Sequence, residues 1–236
     1  MDTNPKHTYV LIAGAWFGGW VWRDVIPGLR NLGHAVTAPT LTGLGERRHN
    51  GTDDTDLSTH IDDVIAHIEM EGLQSVTLVG WSYGGMVVTG VTAKIPDKIK
   101  SLIYLDAYVP EDGKALVDYA PANLRAKVDM FMNERESIPP FPLDVFGETA
   151  QSVVEFVTPR LTVQPWRTFY EPVQARIPPQ DISIAYVYCS GYQPLFTEFY
   201  EKFKDDPRVR TAVIDTGHLC MLSTPLKTIE ILAELA

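Results

Sequence analysis

Runs of apolar residues alternate with stretches of helical spacing along most of the chain. Residues 8–13 form a continuous apolar run that stops at Gly14, and 34–38 form a second that stops at Pro39. Further runs cover 75–79, 99–105, 184–189 and 209–215. Runs of this length without internal alternation predict strands covered on both faces. Between them lie helix-period segments. The clearest is 57–70, where Ile61, Val64, Ile65 and Ile68 recur at 3.6 spacing and Gly72 closes the element. Residues 86–93, 194–203 and 225–236 are predicted helices as well. A helix is also expected over 21–32, with Val25, Leu29 and Leu32 on one face, although Pro27 is better placed in a first helical turn. The alternation predicts a parallel sheet with helices on both faces. It breaks at Pro110, after which prolines and short amphipathic pieces such as 124–132 prevail. Residues 111–180 are therefore expected to be an insertion capping one α/β domain that spans 1–236.

The 236 residues suit one core. Hydrophobic residues at 45% supply enough apolar material for it, which argues against disorder. The net charge of −10 argues against nucleic-acid binding, which favours a basic face. No apolar stretch reaches the ~18 residues of a membrane span, and residues 1–7 lack the layout of a secretion signal. A cytoplasmic location is expected, with no membrane partner. Cys189 and Cys220 are too few for a disulfide scaffold, and their pairing stays open. No metal-ligand spacing or phosphate-binding glycine pattern occurs, so no metal or other cofactor is expected.

The chemistry concentrates at Gly80-Trp81-Ser82-Tyr83-Gly84-Gly85, a G-x-S-x-G sequence between an apolar run and a helical one. A serine at a sharp strand-to-helix turn projects its hydroxyl above the sheet. The two glycines are needed because side chains there would collide. The following helix turns its N-terminal N–H groups toward the same point, which suits a developing oxyanion.

A nucleophilic serine needs a base. Of the six histidines, His218 follows the last predicted strand, in the loop Thr216-Gly217-His218-Leu219. Parallel strands all end at one edge, where ligand and catalytic groups gather. His7, His34, His49, His60 and His67 are expected in structural or solvated roles. Asp106 ends the fourth run and faces that edge, making it the favoured acid to orient the imidazole. Glu111, Asp112 and Asp215 are the alternatives.

Together these residues resemble the α/β-hydrolase superfamily, in particular its small bacterial esterase-like members and the plant methylesterase and hydroxynitrile lyase group. Gly14-Ala15-Trp16-Phe17-Gly18-Gly19-Trp20 is similar to that group's H-G-A-x-x-G-G-W oxyanion loop. Residues 41–47 are similar to its next loop, and Gly217-His218 to its histidine loop. The resemblance implies Ser82 as nucleophile, His218 as base, and oxyanion donors from the backbone N–H groups of Ala15 and Tyr83. This chain departs from the group at three places. Ala13 stands where histidine usually begins the oxyanion loop, and Trp81 where histidine often precedes the nucleophile. The plant members' acid position, after the penultimate strand, reads Cys189-Ser190-Gly191-Tyr192 with no carboxylate. The bacterial relatives place the acid one strand after the elbow, where Asp106 stands.

The expected reaction is hydrolysis of a small apolar or aromatic ester, the chain's small-molecule partner. Trp16, Phe17 and Trp81 are expected to contact substrate, with Trp20 beside them. Phe131, Phe141, Phe146, Phe156, Trp166, Phe169 and Tyr170 are candidate walls from the insertion. Arg47, Arg48 and His49 are candidates for a local positive charge. Lyase or decarboxylase chemistry at the same site is the alternative, although 189–194 lacks the lysine associated with the plant lyases. A hydrolase-fold ligand receptor is a third possibility. Oligomeric state stays open.

Overall fold

The computed structural model describes residues 5–191 and 195–236. Six strands form one parallel sheet: β1 (Thr8–Ile12), β2 (Ala35–Thr37), β3 (Val76–Trp81), β4 (Ile99–Leu105), β5 (Ser183–Cys189) and β6 (Val209–Ile214). Their order in the sheet is β2-β1-β3-β4-β5-β6, and every neighbouring pair is parallel. The described helices are α1 (Ile26–Asn31), α2 (Leu57–Met70), α3 (Gly84–Lys94), α4 (Ala122–Glu134), α5 (Gln151–Val157), α6 (Arg167–Tyr170), α7 (Thr197–Phe203), α8 (Cys220–Ser223) and α9 (Pro225–Leu235). This is the expected parallel sheet flanked by helices.

Burial explains why the apolar runs identified the strands. All six residues of β3 are buried, because it lies inside the sheet with helices on its faces. The edge strand β6 has only Ile214 buried. In α2, Leu57, His60, Ile61, Val64 and Ile68 form the buried face. The Asp56 carboxylate caps its first turn by accepting from Thr59 N at 2.8 Å. In α3, residues 84–93 are all buried, so this helix has no solvent face.

Two of the expected helices begin later than expected. The helix expected over 21–32 is a 3₁₀ turn at Gly19–Trp22 followed by α1, which begins at Ile26 with Pro27 in its first turn. Val25 and Leu29 are fully buried, whereas Leu32 is 43% exposed because it caps the helix end instead of extending its inner face. The helix expected over 194–203 runs from Thr197, and Pro194 lies outside the described residues. The short α5, α6 and α8 have too few residues to show a helical period.

Register sets the level of the sheet's C-terminal edge. Trp81 pairs with Leu105, and Leu105 with Val187. The residues that follow β3 and β4, Ser82 and Asp106, therefore emerge at the same height. Residues 111–180 lie between β4 and β5 and carry α4, α5 and α6. Ile138 and Gln164 pair there as an isolated antiparallel bridge.

Candidate active site

Ser82 follows β3 directly with φ +57°, and Asp106 follows β4 with φ +43°. Such angles are costly for residues with a side chain and persist only where surrounding contacts enforce them. For Ser82 those contacts are three main-chain hydrogen bonds. Its N–H donates to Leu105 O at 3.3 Å, and its carbonyl accepts from Gly85 N at 3.0 Å and Tyr108 N at 3.2 Å. The elbow glycines are sterically required. A Cβ on Gly80 would stand 2.7 Å from Gly84 O, and one on Gly84 2.8 Å from Ile12 O.

His218 and Asp106 form a buried pair. His218 Nδ1 donates to Asp106 Oδ2 at 2.6 Å, and the side chains are 3% and 0% exposed. Asp106 Oδ1 accepts from Cys189 N at 3.1 Å. Burial pushes the Asp106 carboxyl above its ordinary value, while His218 and the Cys189 amide both favour the carboxylate. With Nδ1–H given to Asp106, His218 Nε2 is left as the basic nitrogen. The ring is stacked on Phe196 at 5.1 Å and on Phe146 at 5.7 Å, and packs against Trp81 at 5.0 Å. Its main chain is held too: His218 N donates to Phe146 O at 3.1 Å, and Trp81 Nε1 donates to His218 O at 2.9 Å. The alternative acids lie elsewhere. Asp112 accepts from Ala175 N, Asp215 from the Ser190 hydroxyl, and Glu111 pairs with Lys202, all at exposed positions.

Ser82, His218, Ala15, Tyr83 and Trp16 line one cavity of about 900 Å³. From residues 111–180 the cavity receives Leu116, Leu124, Val128, Phe141, Phe146 and Phe169. Phe17 and Trp81 are not among its lining residues. They pack together behind the site, ring centroids 4.9 Å apart and 3% and 1% exposed. Trp81 braces His218 where contact with substrate was expected. Phe156 meets Trp20 edge to face and lies under Arg23 and Arg160, and the Tyr170 hydroxyl donates to Asp129 at 2.5 Å. Phe131, Phe156, Trp166 and Tyr170 are likewise absent from the cavity wall. Arg47 is occupied by Asp63 at 3.0 Å and the Thr40 carbonyl at 2.8 Å, and none of Arg47, Arg48 and His49 lines the cavity. Sequence patterns missed Tyr108, Phe196 and Phe199, which line the cavity from beyond the motifs. Cys189 and Cys220 are both buried free thiols.

Behind Tyr83 lies a buried polar contact. His60 Nδ1 and the Tyr83 hydroxyl are 2.8 Å apart, as are His60 Nε2 and the Thr42 carbonyl. The carbonyl can only accept, so Nε2 carries the proton and Tyr83 donates to Nδ1. Burial keeps the Tyr83 phenol well above its ordinary value, and it pushes the His60 imidazole down to about 4. The neutral form of His60 thus belongs to the folded state, while the unfolded chain takes up this proton below about pH 6.5. This stabilisation is complete above pH 6.5 and is lost as pH falls toward 4, by about 3 kcal/mol in all. The melting temperature of His60→Gln, followed from pH 7 to pH 4, is expected to fall less steeply than that of the native chain. Parallel slopes would remove His60 from the account.

Known proteins resemble this chain in sequence and fold. The profile of the alpha/beta hydrolase family matches residues 9–231. A carbendazim hydrolyzing esterase from Nocardioides sp. is 36% identical over 96% of this chain and 98% of its own length. An alpha-hydroxynitrile lyase from Arabidopsis thaliana is 32% identical, over 45% of this chain and 42% of that protein. Among solved structures, an extracellular alpha/beta-hydrolase from a Paenibacillus species superposes with a TM-score of 0.83. It is 21% identical and is matched over 98% of this chain and 99% of that one, a likeness of fold.

Proposed function

The chain belongs to the alpha/beta hydrolase family, and we propose that it acts there as a serine hydrolase cleaving a small apolar or aromatic carboxylic ester through an acyl-enzyme on Ser82. The observation that carries this is the buried His218–Asp106 pair opening onto the same cavity as Ser82. In this mechanism Ser82 Oγ attacks the ester carbonyl carbon while His218 Nε2 takes its proton. The resulting imidazolium is stabilised by Asp106. The oxyanion is received by the N–H groups of Ala15 and Tyr83, donors of the kind whose loss costs ~10²–10³ in rate. Collapse of the tetrahedral adduct breaks the ester C–O bond, and His218 hands its proton to the leaving alcohol. Water then attacks the acyl carbon while His218 takes its proton, and collapse of the second adduct breaks the bond to Ser82 Oγ, which receives that proton from His218 as the acid leaves.

Residues 111–180 act in this scheme as a cap. Their apolar side chains, with Trp16, Tyr108 and Phe196, supply walls suited to an aromatic or aliphatic group. Carbendazim, named for the Nocardioides relative, belongs in the first substrate panel alongside aryl and short-chain esters.

The test is intact mass after treatment with a fluorophosphonate, on the native chain and on Ser82→Ala. One adduct on the native chain and none on the variant is expected. A folded native chain that takes up no adduct would overturn the acyl-enzyme. A labelled chain that turns over no ester but cleaves a cyanohydrin would transfer the site to lyase chemistry.

A further inference from the structure

The strongest unexplained feature near the site is the grip on Trp16. The turn Gly14–Phe17 closes through Phe17 N–H donating to Gly14 O at 3.3 Å, and Trp16, its third residue, has φ +69°. That place in a turn normally belongs to glycine, so a tryptophan there is strained. The turn also lies close against the nucleophile, since a Cβ on Gly14 would stand only 2.9 Å from Ser82 Cβ.

Hydrogen bonds from residues 138–164 hold Trp16 in this conformation. Trp16 N donates to Gln164 Oε1 at 3.0 Å, and Trp16 Nε1 donates to Ile138 O at 3.0 Å. Trp16 O accepts from Thr162 N at 3.1 Å. Gln164 is itself immobilised. It is 0% exposed, its main chain exchanges two 2.8 Å hydrogen bonds with Ile138, and its Nε2 donates to Thr168 Oγ1 at 2.7 Å. Thr168 in turn donates to Pro165 O at 2.6 Å. No atom of Gln164 lines the cavity, so direct contact with substrate does not account for this arrangement.

We propose that Gln164 is a positioning residue that, by holding Trp16 N–H, keeps the turn Gly14–Phe17 in its strained form and so aims the Ala15 N–H, carried by the neighbouring Gly14–Ala15 peptide, at the oxyanion from a segment outside the oxyanion loop. The inference rests on the acyl-transfer reading of Ser82. Without the Gln164 acceptor, Trp16 N–H loses its buried partner and the turn relaxes toward negative φ. As the turn relaxes, the adjoining Gly14–Ala15 peptide shifts with it and carries the Ala15 N–H off its line. Substrate binding through the apolar walls does not depend on that N–H, whereas the tetrahedral adduct does.

The experiment compares Gln164→Met, Gln164→Glu and Thr168→Val with the native chain. Active sites are first counted by fluorophosphonate titration, so that only folded, labelled enzyme enters kcat. Gln164→Met keeps the length of the side chain but removes the acceptor. It is expected to lower kcat ~10–100-fold, less than full loss of a donor, with KM within about threefold. Affinity for a trifluoromethyl ketone, whose adduct carries the oxyanion, falls in parallel. Gln164→Glu retains an acceptor for Trp16 N–H and recovers part of the loss. Thr168→Val frees the Gln164 amide and gives a smaller fall, about three- to tenfold, with the same parallel. If Gln164→Met does not fold, Thr168→Val decides by that pattern. Native kcat and ketone affinity per labelled site in the variants would overturn the positioning role. Failure of the native chain itself to label would instead overturn the reading of Ser82.

Discussion

Ser82→Ala is expected to lower ester turnover by roughly 10⁵–10⁶-fold while leaving the melting temperature nearly unchanged. The rate falls because no other group can form the acyl bond in the proposed mechanism. What remains is the acceleration from the oxyanion donors and from binding, which persists in serine hydrolases stripped of the nucleophile. The fold persists because the elbow is held by main-chain bonds. Ser82 N–H to Leu105 O, and Ser82 O to the amides of Gly85 and Tyr108, survive the substitution unchanged. Only a hydroxyl is removed, and alanine is no more strained at φ +57° than serine. Turnover of an activated aryl ester, with thermal melting on the same samples, checks both halves. A residual rate within tenfold of the native one would exclude Ser82 as nucleophile.

Asp106→Asn carries the second-largest expected effect, a loss of about 10⁴-fold in kcat. The size follows from which way the new amide must face. Asp106 Oδ1 accepts from Cys189 N, so the asparagine oxygen is retained on that side. Its NH₂ then faces His218 Nδ1, where the carboxylate oxygen Oδ2 now accepts. An NH₂ there donates to Nδ1 and leaves the proton on Nε2, the nitrogen that must accept from Ser82. The imidazole is present, correctly placed, and in the wrong tautomer. Asp112→Asn and Asp215→Asn, both exposed and bonded away from His218, are expected to stay within about twofold of the native rate. Steady-state kinetics on the three variants is the measurement, and equal losses would remove Asp106 from its role.

Much of this site was legible along the chain because its parts are local. The elbow needs glycines at 80 and 84, since neither position has room for a Cβ. Ser82, Asp106 and His218 each follow a strand of a parallel sheet, so periodicity alone brings them to one edge. Asp215 lies only three residues before His218 and pairs with Ser190, while the acid position after β5 holds no carboxylate and His218 donates to Asp106.

The remainder depended on contacts between distant segments. Trp81 and Phe17 stand beside the catalytic loops in sequence, yet both face inward, and Trp81 holds the main chain of His218. Trp16, adjacent to Phe17, faces the cavity because a positive φ turns it there. Gln164 carries no sequence signal, for it is one glutamine in a proline-rich stretch whose partners lie at Trp16, Ile138 and Thr168. The sequence by itself determined the strands, the parallel sheet, the strained elbow and the residues at the sheet's edge, because period and steric necessity act over a few neighbouring residues. The cavity's walls, the orientation of each aromatic ring and the bracing of the turn at Gly14–Phe17 were decided only by tertiary structure, because they arise where chain segments distant in sequence, some more than a hundred residues apart, pack and exchange hydrogen bonds.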